Sequence, residues 1–183
     1  MGSPKALLRL GGETFLDRAI SLFAAECESV TVVLGHQAEE IRSQCLRAGL
    51  ATFAVNPDPG RGQLSSLQRG LAAIAGDVDG VAFCPVDYAA VQPATVRSLI
   101  DALAGSRAVF AVPRYRGERG HPVLFRTPLL AEFLALPPEG AARDIVHAYA
   151  SRTVYVDVDD IGVVRDADTP DDLEAMRRAV EGR

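Results

Sequence analysis

Short β-branched runs alternate with amphipathic helical stripes along most of this chain, and that alternation limits its fold more than any other feature. Val30 to Leu34 is an apolar run closed by Gly35, Ala38, Ile41, Cys45 and Ala48 follow at helical spacing, and Ala51 to Val55 reads as the next strand. After a turn segment from Asn56 to Gly62, the residues Leu64, Leu67, Leu71 and Ile74 mark a helix. Val81 to Cys84 is a buried strand, Pro93 to Ala104 a helix, and Ala108 to Val112 a further strand. Strands joined through helices of this length form parallel sheets by right-handed crossovers, with helices on both faces. The expectation is one domain over residues 1–183, a three-layer α/β/α sandwich around a Rossmann-like, mostly parallel sheet.

The two ends of the chain modify that picture. Thr14 and Asp17 have the spacing of a helix cap, and Phe15, Leu16, Ala19, Ile20 and Phe23 then form an apolar face. Beyond residue 112 the runs Val123 to Phe125 and Thr153 to Val158 are separated by a helical stretch from about Pro128 to Tyr149, which predicts an antiparallel excursion at one sheet edge. Thr169 and Pro170 open a last helix whose apolar face is Leu173, Met176 and Val180. At the front, Gly2-Ser3-Pro4-Lys5 already reads as loop. A doubly wound sheet needs a central first strand before such a loop, so that strand and the front of the loop are expected to be absent from this sequence.

Composition excludes several classes. Hydrophobic residues are 48% and charged residues 23% of 183, enough apolar surface for an ordered core. The net charge of -5, with arginines scattered, gives no basic stripe, so no nucleic-acid partner held by phosphate neutralisation is expected. Cys27, Cys45 and Cys84 are far apart and form no CxxC pair, which argues against a disulfide framework or a structural zinc site. No apolar run reaches the roughly 18 residues of a membrane span, and Met1 to Lys5 does not read as a signal peptide, so a cytoplasmic protein without a membrane partner is expected. Neither His36 nor His147 has a local signature, and Cys84 lies in an apolar strand, so a covalent protein nucleophile is not supported.

Ligands of open α/β sheets bind beyond the carboxyl ends of the strands, which directs attention to Lys5, Asn56 to Ser66, Asp87, and Arg165 to Asp168. Gly62 allows close backbone approach, and the helix start at Gln63, Ser65 and Ser66 offers amides and hydroxyls to ribose or phosphate oxygens. Either serine could equally cap that helix. Asp87 follows a buried strand, where it is a metal-ligand candidate or a turn residue. Strand alternation would send Asp166 and Asp168 to one side. Thr169 and Asp172 read better as cap and box residues.

Five segments in order, Gly2-Ser3-Pro4-Lys5, Gly62-Gln63-Leu64-Ser65-Ser66, Asp87, Gly120-His121-Pro122 with Gly140-Ala141-Ala142-Arg143, and Asp166-Ala167-Asp168-Thr169-Pro170, resemble those of the molybdenum-cofactor cytidylyl- and guanylyltransferases. The chain departs from the family at Tyr88-Ala89-Ala90, where a polar residue or Met and then Pro is usual, and this puts the neighbouring substrate wall in doubt. The resemblance implies a nucleotide-diphospho-sugar transferase-like fold. It further implies that Gly2, Lys5, Gly62, Gln63, Ser65 and Ser66 bind the nucleotide, that Lys5 and Asp87 are catalytic, and that Asp87 and Asp168 hold Mg²⁺ or Mn²⁺. Asp166 would be a supporting partner, and His121 and Arg143 would face the acceptor. The implied reaction moves a nucleoside monophosphate from an NTP, CTP rather than GTP, to a phosphate of an acceptor such as molybdopterin. Within the same chemistry a GTP-using enzyme or a sugar-phosphate nucleotidyltransferase is the alternative, and a molybdoenzyme would be a partner. The rival reading is a non-catalytic nucleotide-binding or interaction domain that has lost its phosphate loop.

Overall fold

The structure, a computed structural model, describes residues 4–181. In chain order it contains β1 (Arg9–Leu10), β2 (Glu13–Thr14), α1 (Phe15–Glu26), β3 (Thr31–Leu34), α2 (Ala38–Gln44), β4 (Thr52–Val55), α3 (Gln63–Ala72), β5 (Gly80–Phe83) and α4 (Pro93–Ala104). There follow β6 (Phe110–Tyr115), β7 (Glu118–Arg119), β8 (Val123–Arg126), α5 (Leu130–Ala135), α6 (Ala142–Ala148), β9 (Thr153–Asp157) and α7 (Pro170–Glu181).

Alternation along the strands sorts side chains into the two outer layers. Phe110, Val112, Val123 and Phe125 pack with Leu71 of α3, Phe133 of α5 and Ile145 of α6 on one face. Ala111 and Leu124 point the other way, onto Leu99 and Leu103 of α4. The three-layer arrangement expected from the sequence is therefore present. Helix starts follow their local chemistry. The Thr14 hydroxyl accepts from the Asp17 N–H at 3.0 Å and donates to its carboxylate at 2.6 Å. Asp17 also accepts from the Arg47 N–H at 2.9 Å and the Cys45 thiol at 3.3 Å, so one buried carboxylate fixes α1 against the end of α2.

The antiparallel excursion comprises β7, at the edge of the hydrogen-bonded path, and β8, which inserts between β5 and β6. Because β8 runs against both, β5 and β6 point in the same direction, and β9 joins β6 in parallel. Strand β6 continues to Tyr115, past the expected end at Val112. Pro113 is tolerated because it sits where the partner of β6 changes from β8 to β7, between the Ala111–Leu124 and Arg114–Arg119 pairs. The continuous helix expected from Pro128 to Tyr149 is broken into α5 and α6, since Pro137, Pro138 and Gly140 cannot carry a helix across residues 136–141. The β1–β2 hairpin was not expected; its signal is Gly11-Gly12, at φ 58° and 87°.

Strands β3 and β4 form their own parallel ladder, separate from the ladder that begins at β5, although α3 packs on both. The carbonyls of Val30 and Leu34 accept from Thr52 and Asn56 at 2.9 and 2.8 Å, so Thr31 and Val33 turn their backbone groups away from β4. The Thr127 N–H bond to the Asp79 carbonyl at 3.2 Å sets the phase of the β5–β8 pair and turns Ala82 away from β8. Among the described residues no backbone partner meets these outward groups. Amide exchange followed by NMR is expected to be faster at Thr31, Val33 and Ala82 than at Val32, Leu34 and Phe83. Equal protection at both sets would show that the two edges are bridged.

Candidate active site

Asp87 lies four residues past the end of β5, in a turn closed by the Tyr88 N–H bond to the Pro85 carbonyl at 3.3 Å. Asp168 lies between a 3₁₀ turn at Ile161–Val164 and the start of α7. The stretch before it is irregular rather than a strand, yet Ala167 is buried while Asp166 and Asp168 face outward, so the expected alternation holds locally. Thr169 and Asp172 form the expected cap: the Asp172 carboxylate accepts from the Thr169 N–H at 2.8 Å and hydroxyl at 2.7 Å.

Lys5 opens a 3₁₀ turn at Lys5–Leu7 and reaches both carboxylates. Its Nζ donates to Asp87 Oδ2 at 2.9 Å and to Asp168 Oδ1. Burial alone would lower the Lys5 pKa, but hydrogen bonds and attraction from Asp168 and Asp87 outweigh it and raise the pKa, so the ammonium form is favoured. The second oxygen of Asp87, Oδ1, is buried without a hydrogen-bond partner among the described residues. One free buried carboxylate oxygen beside a point where two carboxylates already converge on a cation suits a hard divalent ion, which needs one or two protein carboxylates and takes its other oxygens from phosphate and water. Among the described residues no cluster of three or more His, Cys, Asp or Glu residues offers another place for a metal.

His121 stands beside this group. Its ring packs edge-on to Phe83 at 5.3 Å and against Tyr88 at 4.6 Å, and its Nδ1 is buried without a hydrogen-bond partner among the described residues. Burial lowers the His121 pKa against the opposing effects of the Phe83 backbone and Asp87, so the neutral ring is favoured. Burial, with help from Asp166 and Asp87, pushes the Tyr88 hydroxyl up to about 12. Burial raises the Cys84 thiol pKa as well, assisted by Asp87, which agrees with its exclusion as a nucleophile.

At the end of β4, Gly62 takes the cap position of α3 at φ 88° and supplies no side-chain cap. Neither serine caps the helix. Buried Asn56 instead donates through Nδ2 to Ser65 Oγ at 2.9 Å and Ser66 Oγ at 3.0 Å, while Ser65 Oγ donates to the Gly62 carbonyl at 2.8 Å. Gly62 and Gln63 are exposed at this helix start. Asn56 is thus an organiser that the sequence reading included only as part of a turn segment. Arg143 is exposed in the first turn of α6 and makes no hydrogen bond or ion pair among the described residues, so the structure does not bring it onto the acidic pair. Gly2 lies outside the described residues.

Two features missed from the sequence hold the site in place. Asp160 is buried and accepts from the Gln92 N–H and Thr95 hydroxyl, both at 2.8 Å, tying the end of β9 to the start of α4. Gly120 presses against the 3₁₀ turn: a Cβ there would stand 1.9 Å from the Val163 carbonyl oxygen, which itself accepts from the His121 N–H at 2.8 Å.

An α/β sheet carrying a lysine, two carboxylates and an open helix start along one edge has the parts of a nucleotidyltransferase. The family model described as the MobA-like NTP transferase domain matches residues 1–154, and the chain belongs to that family. The molybdenum cofactor cytidylyltransferase of Escherichia coli K12 is 24% identical over 99% of this chain and 91% of its own length. The bifunctional protein GlmU of Acidovorax ebreus is 34% identical over 64% of this chain, which spans about a quarter of that relative, 26% of its length. Among solved structures, Rv0371c from Mycobacterium tuberculosis H37Rv in complex with manganese superposes with a TM-score of 0.79 at 25% identity, covering 97% of this chain and 92% of that one.

The Gly120 contact has a direct test. Gly120→Ala is expected to destabilise the chain by about 2 kcal/mol or more in denaturant unfolding, because the clash is with backbone. Gly49→Ala, where an added Cβ meets nothing within 4 Å, should be close to neutral. Similar midpoints for both variants would refute the tight contact.

Proposed function

We propose that this chain transfers a nucleoside monophosphate, CMP by preference, from an NTP to a phosphate of an organic acceptor such as molybdopterin, releasing pyrophosphate. The observation that carries the reading is the convergence of Lys5, Asp87 and Asp168, from positions 82 and 163 residues apart, on one point at the carboxyl edge. An acceptor phosphate oxygen attacks the α-phosphorus, the bond from that phosphorus to the bridging oxygen breaks, and its electron pair leaves with pyrophosphate. Asp87 and Asp168 would hold Mg²⁺ or Mn²⁺, which when bound neutralises phosphate oxygens and orients them. Lys5 turns from the carboxylates to the triphosphate, supplying a point charge where negative charge accumulates.

The start of α3 serves the nucleotide, with Gly62 and Gln63 exposed to it and Ser65 and Ser66 preset by Asn56. His121 faces the acceptor side as a neutral ring, and Arg143, which stands away from the acidic pair, would serve the acceptor only at a distance from the reacting phosphate. CTP is preferred to GTP because Gly-Gln-Leu-Ser-Ser and Gly-His-Pro look like cytidylyltransferase segments, in accord with the name of the Escherichia coli relative. A molybdoenzyme would receive the finished cofactor.

Calorimetry with Mn²⁺ and CTP tests the site. Asp87→Asn and Asp168→Asn are each expected to weaken metal–CTP binding about tenfold or more, the scale of a lost charge-assisted contact. Unchanged affinity in both variants would remove the metal site. Lys5→Met separates the two roles of the lysine: Mn²⁺ alone should bind more tightly, because the competing ammonium is gone, while CTP in the presence of Mn²⁺ should bind more weakly. If both affinities fell, Lys5 would be organising the carboxylates rather than competing for them. Pyrophosphate release compared across the four NTPs tests the base, and equal turnover or a preference for GTP would overturn the cytidylyl assignment.

A further inference from the structure

The segments that carry Lys5, Asp87 and Asp168 meet in one buried apolar cluster. Leu8 and Leu10 follow Lys5, Val86, Ala89 and Ala90 surround Asp87, and Ala167, Leu173 and Met176 flank Asp168, all packed with Phe15 at the start of α1. Small side chains at 89, 90 and 167 let the two acidic segments approach closely. Apolar packing is non-directional, so it sets how near the segments lie but not how the Asp87 turn is rotated. The turn's own bonds hold it loosely. The Tyr88 N–H meets the Pro85 carbonyl at 3.3 Å and the Val91 N–H meets the Tyr88 carbonyl at 3.5 Å, both longer than the usual span of roughly 2.7–3.2 Å. Alanines at 89 and 90 add no restriction on φ of the kind a proline would supply.

The missing restraint comes from α1. Arg18 donates through Nε to the Ala89 carbonyl at 3.0 Å, a bond between residues 71 positions apart. Ala89 is buried and among the described residues no backbone N–H reaches its carbonyl, so Arg18 meets an acceptor that is costly to leave unpaired. The other arm of the guanidinium, Nη1, faces Glu13 Oε2 at 4.0 Å, and the Glu13 carboxylate also accepts from Arg47 at 3.3 Å. A planar fork held at Glu13 aims its Nε at Ala89. A lysine, with one ammonium on a flexible stem, cannot keep both contacts. On the far side Gly162, in the 3₁₀ turn that leads toward Asp168, presses on the next residue: a Cβ there would stand 2.4 Å from the Ala90 carbonyl oxygen.

We infer that Arg18 is a positioning residue of the metal site: its bond to the Ala89 carbonyl fixes the Asp87 turn, and with it the setting of the Asp87 carboxylate toward Asp168. Arg18 bonds to neither carboxylate and acts only through the backbone of the turn. The inference rests on the transferase reading, to which it adds a residue that none of the motif segments contains.

Mn²⁺ titrated into the chain by calorimetry, well below the thermal midpoint of each variant, reads that setting. Arg18→Met is expected to weaken Mn²⁺ binding about tenfold, the lower end of the loss that follows when residues orienting metal ligands are replaced. Arg18→Lys should lose less, because it keeps a cation and a donor, and it carries the test if Arg18→Met does not fold. Arg97→Met is the control: it breaks the bond to Glu26 at 2.6 Å that joins α4 to α1, and should lower the thermal midpoint while leaving Mn²⁺ affinity alone. A merely structural Arg18 would behave as Arg97 does. Wild-type Mn²⁺ affinity in Arg18→Met, or in Arg18→Lys where Arg18→Met does not fold, would therefore overturn the inference. A metal-free measurement separates it from the transferase reading. In the ¹⁵N-labelled chain Arg18→Met should move the amide signals of Asp87 to Ala90 and of Asp168, and Arg97→Met should leave them in place. Failure of the wild-type chain to bind Mn²⁺ would count against the transferase reading, whereas unmoved amides around Asp87 would sink the positioning role whatever the metal does.

Discussion

The Lys5 ammonium between Asp87 and Asp168 is the interaction on which the arrangement of this edge depends. It joins the start of the described chain, the turn after β5 and the entry to α7, which share no local sequence. Two carboxylates brought this close would repel each other without a cation between them. Lys5 supplies that cation from within the chain, standing where an arriving divalent ion would take over the same charge balance. The exposures differ along the trio: the Asp87 side chain is 17% exposed and that of Asp168 64%, so the inner carboxylate is fixed by packing and the outer one can adjust.

Around this trio the chain divides between the β3–β4 ladder and a second sheet in which β5 pairs with β8, β8 with β6, and β6 with β7 and β9. The insertion of β8 between β5 and β6 brings Gly120 and His121 back to the carboxyl edge, where an all-parallel order would have placed a helix connection. Gly120 then lets the chain pass within contact of the Val163 carbonyl, and the His121 ring meets Tyr88, the residue after Asp87, at a tilt. Asp160 secures the same segment from beneath through its bonds to Gln92 and Thr95.

The departure from family pattern at Tyr88 has a structural use. Its half-buried ring packs with Val91, Val96 and Val163 and meets His121 at a tilt, so it is anchored in the core beside the Asp87 turn. Asp166 makes no hydrogen bond or ion pair with Lys5 among the described residues, so it stands outside the Lys5–Asp87–Asp168 trio.

Periodicity alone determined most elements. Helix α4 begins and ends where proline and the apolar stripe put it, and the Thr14–Asp17 and Thr169–Asp172 caps form as their spacing requires, because each depends on contacts three residues apart. Position after a strand was enough to single out Asp87, and motif order singled out Lys5 and Asp168. Sequence could not reveal that these three touch, that Ser65 and Ser66 are held by Asn56 rather than capping α3, that Arg143 stands away from the acidic pair, or that β8 lies inside the sheet. Those facts depend on which strand edges pair and on which buried polar atoms find partners. Hydrogen bonds between residues far apart in the chain are chosen by the packing of the whole sheet, and no local pattern encodes them.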